Sequence, residues 1–508
     1  MFRTLFRIAV AFLLLVPTAT AQQASLGMNL GWWTYFTPEC TFVDALKGAS
    51  DWIPQLHSGG AWNTGEAIAK NADGYPSSLA PGRAAAALML REFPQGYPAG
   101  RYVCLWDGDG DLELTLDARV VRRVGNRLEA DVLPTSAGVL LRILRTNPTN
   151  PVRNVRVLMP GHEATYATRP FHPRMLANWR GFRVLRFMDW ARTNDSTQVR
   201  WSDRATPAYF SQATGRGVAF EHMLDLCNEL DADPWLCLPH LVDDDYARQL
   251  ARLVRARLEP GRAVHLEYSN ECWHTGFAGG RYCRSEGQRL GLSNDPYTAQ
   301  LRFYSQRAVA LFRVFAQELA GSHRLVRVLA AQNANPWTST VVLDWRSAHA
   351  EVDALAVAPY FGYGLGDPAR QAQVAAMSVD AILGACWADL AATLWTTYAN
   401  ALEAQRRGVR LLGYEGGQHL VGWGGTEHNA AITALFVAAN RRPEMAWLYV
   451  WFVEGWRAVG GGPIAMYAAT VKPGKYGSWG ALEHGDQDPL TAPKYFALRA
   501  WLDGFRLF

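Results

Sequence analysis

The run HLEYSNECWH, residues 265–274, begins like an apolar strand and ends in a carboxylate, Glu271, set between Asn270 and Cys272–Trp273. A second carboxylate, Glu415, follows another apolar run in RLLGYEGG, residues 410–417. Each stands where a strand gives way to a loop. Side chains placed there reach a ligand while the scaffold below stays rigid. Either glutamate alone also admits the reading of a structural acid. As a pair they suit glycoside hydrolysis, in which one acid protonates the leaving oxygen and the other attacks the anomeric carbon or activates a water. The glycines after Glu415 would leave room for a sugar to approach.

Such a pair needs a scaffold that brings the two strand ends together. From about residue 180 the chain alternates between short apolar runs and helical stretches. The strand candidates are 25–31, 182–188, 233–239, 263–269, 324–331, 352–359, 410–415 and 446–452. Most are continuously apolar, as expected of parallel strands covered on both faces. Apolar residues recur at helical spacing over 296–321 and 391–408. Eight such units predict an α/β fold, a (β/α)8 TIM barrel, over residues 22–59 and 161–508. The gap after the first strand is too long for one helix. Its period-two alternation and its DGDGD and VGNR turns predict a small β-rich module inserted over 60–160. DGDGD, 107–111, reads as a hairpin turn. As a calcium loop it would need Gly and Glu where Leu112 and Ala118 stand. In a barrel, the fourth and seventh strands deliver Glu271 and Glu415 to opposite sides of the C-terminal mouth.

YSNE at the end of strand four, with YE at the end of strand seven, resembles the clan A glycoside hydrolases, retaining (β/α)8 enzymes that include cellulases and mannanases. The resemblance covers the barrel and not the inserted module. It implies that Glu271 is the acid/base, Glu415 the nucleophile, and Asn270 the residue binding the sugar 2-hydroxyl. It further implies that Arg186 and Tyr360 hydrogen-bond the nucleophile and that Trp451, at the end of strand eight, is the platform under the sugar. His240, Trp190, Asp189, Gln418 and His419 are lesser candidates for binding substrate. Glu267, on the same pleat face as Glu271, reads as structural. Of twenty tryptophans, Trp32, Trp33, Trp273, Trp337 and Trp456 also fall just after expected strands. The expected mechanism uses no cofactor.

The chain as a whole restricts the alternatives. It has 508 residues, 49% hydrophobic and 19% charged, with net charge +4 and no long basic run. Disorder and nucleic-acid binding are therefore not indicated. Residues 1–21 read as a signal peptide, with Arg3 and Arg7 ahead of an apolar run and Ala19-Thr20-Ala21 before the cut. A secreted or periplasmic protein with no membrane association after cleavage is expected. Seven cysteines without a CxxC pair indicate no zinc site. The expected partner is a carbohydrate, most simply a β-glycan. The competing reading is a non-catalytic carbohydrate-binding protein on a barrel scaffold.

Overall fold

The computed structural model describes residues 24–93 and 96–507. The expected signal peptide, 1–21, lies outside the described residues. Eight parallel strands close into a barrel: Ser25–Asn29, Val184–Arg186, Asp233–Leu238, Ala263–Tyr268, Arg324–Ala330, Ala354–Val357, Arg410–Gly413 and Pro463–Met466. Strand one pairs with both strand two and strand eight, which completes the ring. The strands are buried almost throughout, because helices cover them outside and side chains fill them inside. Helix starts are written locally. Asp243, Asp295 and Ser378 cap Asp244–Arg257, Pro296–Leu319 and Val379–Arg406, each accepting from a backbone N–H of the first turn.

The first seven strands form within the expected runs. The eighth does not. Residues 446–452 belong to a helix, Pro443–Ala458, and the closing strand is the four-residue Pro463–Met466. The buried residues Met445, Leu448, Tyr449, Phe452, Val453 and Trp456 recur at steps of three and four, which is a helix period. Pro443 at its first turn suits a helix start. A continuously apolar run hides that period, and the true strand is short and preceded by three glycines. The helix read at 391–408 starts twelve residues earlier, at Val379, behind its Ser378 cap.

Between strands one and two lie two four-stranded antiparallel sheets. One orders Ile53–Leu56, Arg83–Met89, Val139–Thr146 and Gly110–Leu116. The other orders Ala118–Val124, Arg127–Val132, Gly100–Asp107 and Arg153–Leu158. They enclose an apolar core of their own, with Trp52, Tyr75, Tyr102 and Trp106, into which Tyr209 and Phe210 reach from beyond strand two. VGNR joins the paired strands 118–124 and 127–132. DGDGD is a turn but not a hairpin: the strands on either side of it belong to different sheets. Its Asp109 and Asp111 instead both accept from Arg145, at 2.8 Å each. Where the chain enters this region, Asp44 accepts from the backbone N–H of Val157 at 2.8 Å. Lys47 Nζ donates to the carbonyl of Pro207 at 2.8 Å, tying the inserted sheets to the loops above the barrel. All seven cysteines are free thiols and buried.

Candidate functional site

Arg186, the last residue of strand two, is fully buried at the centre of the barrel. Its Nε and Nη2 donate to the two oxygens of Glu267 at 3.0 and 3.2 Å. Nη1 donates to Asn29 Oδ1 at 3.0 Å and to Glu415 Oε1 at 2.9 Å. Nη2 also donates to Asn270 Oδ1 at 2.8 Å. A buried guanidinium is tolerable only when its donors meet acceptors and its charge meets carboxylates. Strands one, four and seven supply these. Glu267 in turn accepts from Trp235 Nε1 at 2.8 Å, so its oxygens are occupied by structural donors.

Glu415 lies two residues beyond strand seven and is 6% exposed. Arg186 holds one of its oxygens, and Tyr360 Oη donates to the other at 2.9 Å. Burial raises its pKa, and Arg186 and Tyr360 oppose that rise. Glu271 lies across the mouth, at the end of strand four. It accepts from Tyr414 Oη at 3.0 Å, and Trp273 Nε1 donates to the same hydroxyl at 3.3 Å. Burial, and then the charge of Glu415, push the Glu271 carboxyl up to about 8. Two neighbouring carboxyls in a dry site do not ionise together. Glu415, with the cation and the phenol, ionises first, and Glu271 keeps its proton. The two carboxyls are thus tuned apart, one held against a cation and a phenol and the other with its pKa raised.

The backbone at the end of strand four is unusual. Ser269 and Glu271 have φ of 60° and 44°, the left-handed region that residues other than glycine seldom adopt. Asn270 between them faces Arg186. The turn is pinned by Gln300 Nε2 donating to the carbonyl of Cys272 at 2.6 Å, and by His274 N–H donating to the carbonyl of Glu271 at 2.8 Å. These anchors aim the Glu271 carboxyl across the mouth, where packing alone would not hold a strand-end acid.

The other expected residues divide. Asn270, Arg186 and Tyr360 join the two carboxyls. His240 stands two residues past strand three, buried, with its ring 5.6 Å from Tyr282. Asp189 is buried near Arg186, and Tyr467 Oη donates to it at 3.1 Å; burial lifts the Asp189 carboxyl to about 6. Gln418 ties loops together, donating to the carbonyl of Ser478 at 3.0 Å.

Three expectations are corrected. Trp451 is not at a strand end: it sits on helix Pro443–Ala458, its ring 6.4 Å from Trp387 of the neighbouring helix. Trp190 is 3% exposed and stacks on Trp33 at 6.2 Å beside Phe187, so it is core and not a sugar platform. The glycines after Glu415 do not clear space for substrate. A Cβ on Gly416 would meet Phe452 at 2.9 Å, and one on Gly417 would meet the Tyr449 hydroxyl at 2.6 Å, so they admit the helix packed behind the strand.

The rim past the true strand eight supplies what Trp451 does not. Trp479 stands 5.7 Å from Tyr360, 5.5 Å from Tyr467 and 5.0 Å from His419, forming an aromatic wall beside Glu415. Tyr414, Tyr467, Trp479 and Asn194, which accepts from Asn270 Nδ2 at 3.2 Å, were not singled out in the sequence. Tyr414 adjoins Glu415 in YE and was within reach. Tyr467 and Trp479 follow a strand too short to stand out. Among the described residues no cluster of three His, Cys, Asp or Glu could hold a metal ion.

No family model and no curated protein matches this sequence. Among solved structures, the chain is similar to the GH51 arabinofuranosidase from Xanthomonas axonopodis pv. citri, at 15% identity and TM-score 0.37, over 60% of this chain and 61% of that one. It is also similar to the beta-glucosidase from Thermotoga maritima, at 11% identity and TM-score 0.36, over 66% of this chain and 86% of that one. A third is GH10 from Paenibacillus barcinonensis, at 11% identity and TM-score 0.36, over 65% and 91% of the two chains. The chain thus spans about three fifths of the length of the arabinofuranosidase.

Proposed function

We propose that this chain is a retaining glycoside hydrolase acting on a β-linked polysaccharide or oligosaccharide. The observation that carries the reading is the opposite tuning of two glutamates at the barrel mouth. Glu415 has both oxygens engaged by Arg186 and Tyr360, while Glu271 has one phenolic donor and a pKa pushed up to about 8. Glu415 attacks the anomeric carbon as Glu271 gives its proton to the leaving oxygen. Glu271, now a carboxylate, then takes a proton from the water that releases the sugar. Asn270 stands beside Glu415 on the shared Arg186, in reach of a hydroxyl of the sugar being attacked. The leader-like residues 1–21 support a secreted or periplasmic setting, where polymeric glycans are met.

The test is hydrolysis of β-glycans and aryl β-glycosides by the wild type, Glu271→Gln and Glu415→Gln, with the anomer of the first product read by NMR. Cleavage with retention, lost in both variants, supports the proposal. Cleavage with inversion removes the covalent step. Binding without cleavage in all three proteins leaves a carbohydrate-binding protein.

A further inference from the structure

Above the barrel, lined by Trp32, Arg192 and Asn194 among others, lies a cavity of about 380 Å³ that the mechanism does not use. Its size falls in the range of small-ligand sites, about 300–1,000 Å³. It lies between the loops after strands one and two on one side and Ser50 and Asp51, at the edge of the inserted sheets, on the other. Resting on the glycosidase reading, we propose that this cavity is a further sugar-binding subsite, which takes a neutral pyranose unit of the same chain whose cleavage Glu271 and Glu415 perform, and that the inserted sheets form its outer wall.

Four observations support it. The cavity is one hydrogen bond from the candidate site: Asn194, on its lining, accepts from Asn270 Nδ2 at 3.2 Å, and Asn270 immediately precedes Glu271. It holds an aromatic surface, since Trp32 is 51% exposed. Tryptophan faces suit the CH side of a pyranose, and an exposed one normally has no fixed orientation. This one is held, with the Arg192 guanidinium stacked 3.7 Å from the ring centroid. Arg192 is itself fixed by donating to the carbonyls of Trp33, Ala213 and Thr214 at 2.7, 3.0 and 3.1 Å. It is 7% exposed, and its Nη1 lacks any hydrogen-bond partner, a buried donor left over beside the cavity.

The wall has a chemical preference. Asp51 and Asp195 are acceptors for sugar hydroxyls, and each has a cation beyond it, Lys70 at 3.3 Å and Arg281 at 3.4 Å. Each carboxylate is already paired with a cation and Arg192 is stacked on Trp32, so the lining offers polar partners with balanced charge, which suits a neutral sugar better than an ion that must shed its hydration. Ser50 is fastened to the sheet behind it: its backbone N–H donates to the Leu88 carbonyl at 2.8 Å and its Oγ accepts from the Leu88 N–H at 3.1 Å. The inserted region thus presents a rigid face to the substrate.

The experiment uses the full chain carrying Glu271→Gln and Glu415→Gln together, which binds without cleaving. Calorimetry measures cello-, manno- and uronate oligosaccharides of two to six units, before and after adding Trp32→Ala or Gly215→Phe. Gly215 lies on the cavity lining, and a Cβ there meets no atom within 4 Å, so a phenylalanine is accommodated without displacing a neighbour and adds bulk to the lining with Trp32 kept. The expected result is neutral hexasaccharide binding that exceeds disaccharide binding and falls about tenfold in each variant, with a much smaller loss for the disaccharide. Equal losses at every length, no dependence on length, tighter binding of uronates, or no binding at all overturns the subsite. If the expected pattern holds while the wild type cleaves nothing, the glycosidase reading fails and the subsite stands. If the wild type cleaves and both variants keep the full length dependence, the subsite alone fails.

Discussion

Tyr414 Oη donates to Glu271 Oε1 at 3.0 Å, so the residue just before one catalytic candidate is the hydrogen-bond donor of the other. Strand seven therefore controls both carboxyls, one through its own side chain and one through its neighbour's phenol. The phenol favours the ionised form of Glu271 and lowers its pKa against the larger effect of burial. Tyr414→Phe removes that bond. The Glu271 pKa then rises above about 8, and the alkaline limb of the kcat profile moves to higher pH, with a loss in kcat of about tenfold or less. A limb that stays in place or moves down would show that another group sets it.

The same carboxyl links stability to pH. Its ordinary value is 4.5 and its folded value is about 8, so between these limits the folded chain holds more protons than the unfolded one. Its contribution to stability is fully present below about 4.5 and is lost as pH rises through about 8. Gln at this position carries no titration. Glu271→Gln should therefore raise the melting temperature relative to wild type by more at pH 8.5 than at pH 5. A constant difference across that range would mean that the folded pKa is not raised.

Arg186 is buried among Glu267, Glu415, Asn29 and Asn270, and removing it leaves two carboxylates without their cation. Arg186→Met should cost about 3–5 kcal/mol of stability, as breaking a buried ion pair does. Glu267→Gln keeps the shape and one acceptor, and should cost less. Chemical denaturation of the two variants measures the difference, and equal losses would deny Arg186 its central place.

Trp190 and Trp451 separate packing from binding. Trp190→Ala empties a site in the barrel core and should cost about 3–5 kcal/mol, with KM unchanged for the correctly folded fraction. Trp451→Ala alters the contact between two outer helices and should leave KM unchanged as well. A tenfold rise in KM for either would put that ring back at the substrate.

The barrel and the central constellation were legible for one physical reason. Strands buried on both faces write continuous apolar runs, and a polar residue at the end of such a run stands out, as Glu271 and Glu415 do; Arg186, inside the run 182–188, was placed by the resemblance alone. The same rule misread 446–452, because a helix packed on several sides is also continuously apolar; the steps of three and four among its buried residues were the finer signal. Strand eight, four residues behind three glycines, carried almost no pattern, so Tyr467 and Trp479 stayed hidden with it. The role of Trp190 depended on which way a loop turned after strand two. Tertiary packing decides that, and no local period records it.

Tyr467 also gives the acid side of the pH profile a handle. Its hydroxyl donates to Asp189 at 3.1 Å and lowers the pKa of a carboxyl that burial lifts to about 6. The charge of Asp189 in turn raises the pKa of Glu415. Tyr467→Phe removes the donor, so Asp189 keeps its proton to higher pH. Over that interval Glu415 loses a repelling neighbour and ionises more readily. The acid limb of kcat/KM should therefore move to lower pH, while the alkaline limb, set by Glu271, keeps its place. Titrating kcat/KM of the variant from pH 4 to 9 reads both limbs at once. A shift of the acid limb to higher pH would mean that Asp189 acts on Glu415 by a hydrogen-bonded route and not through its charge.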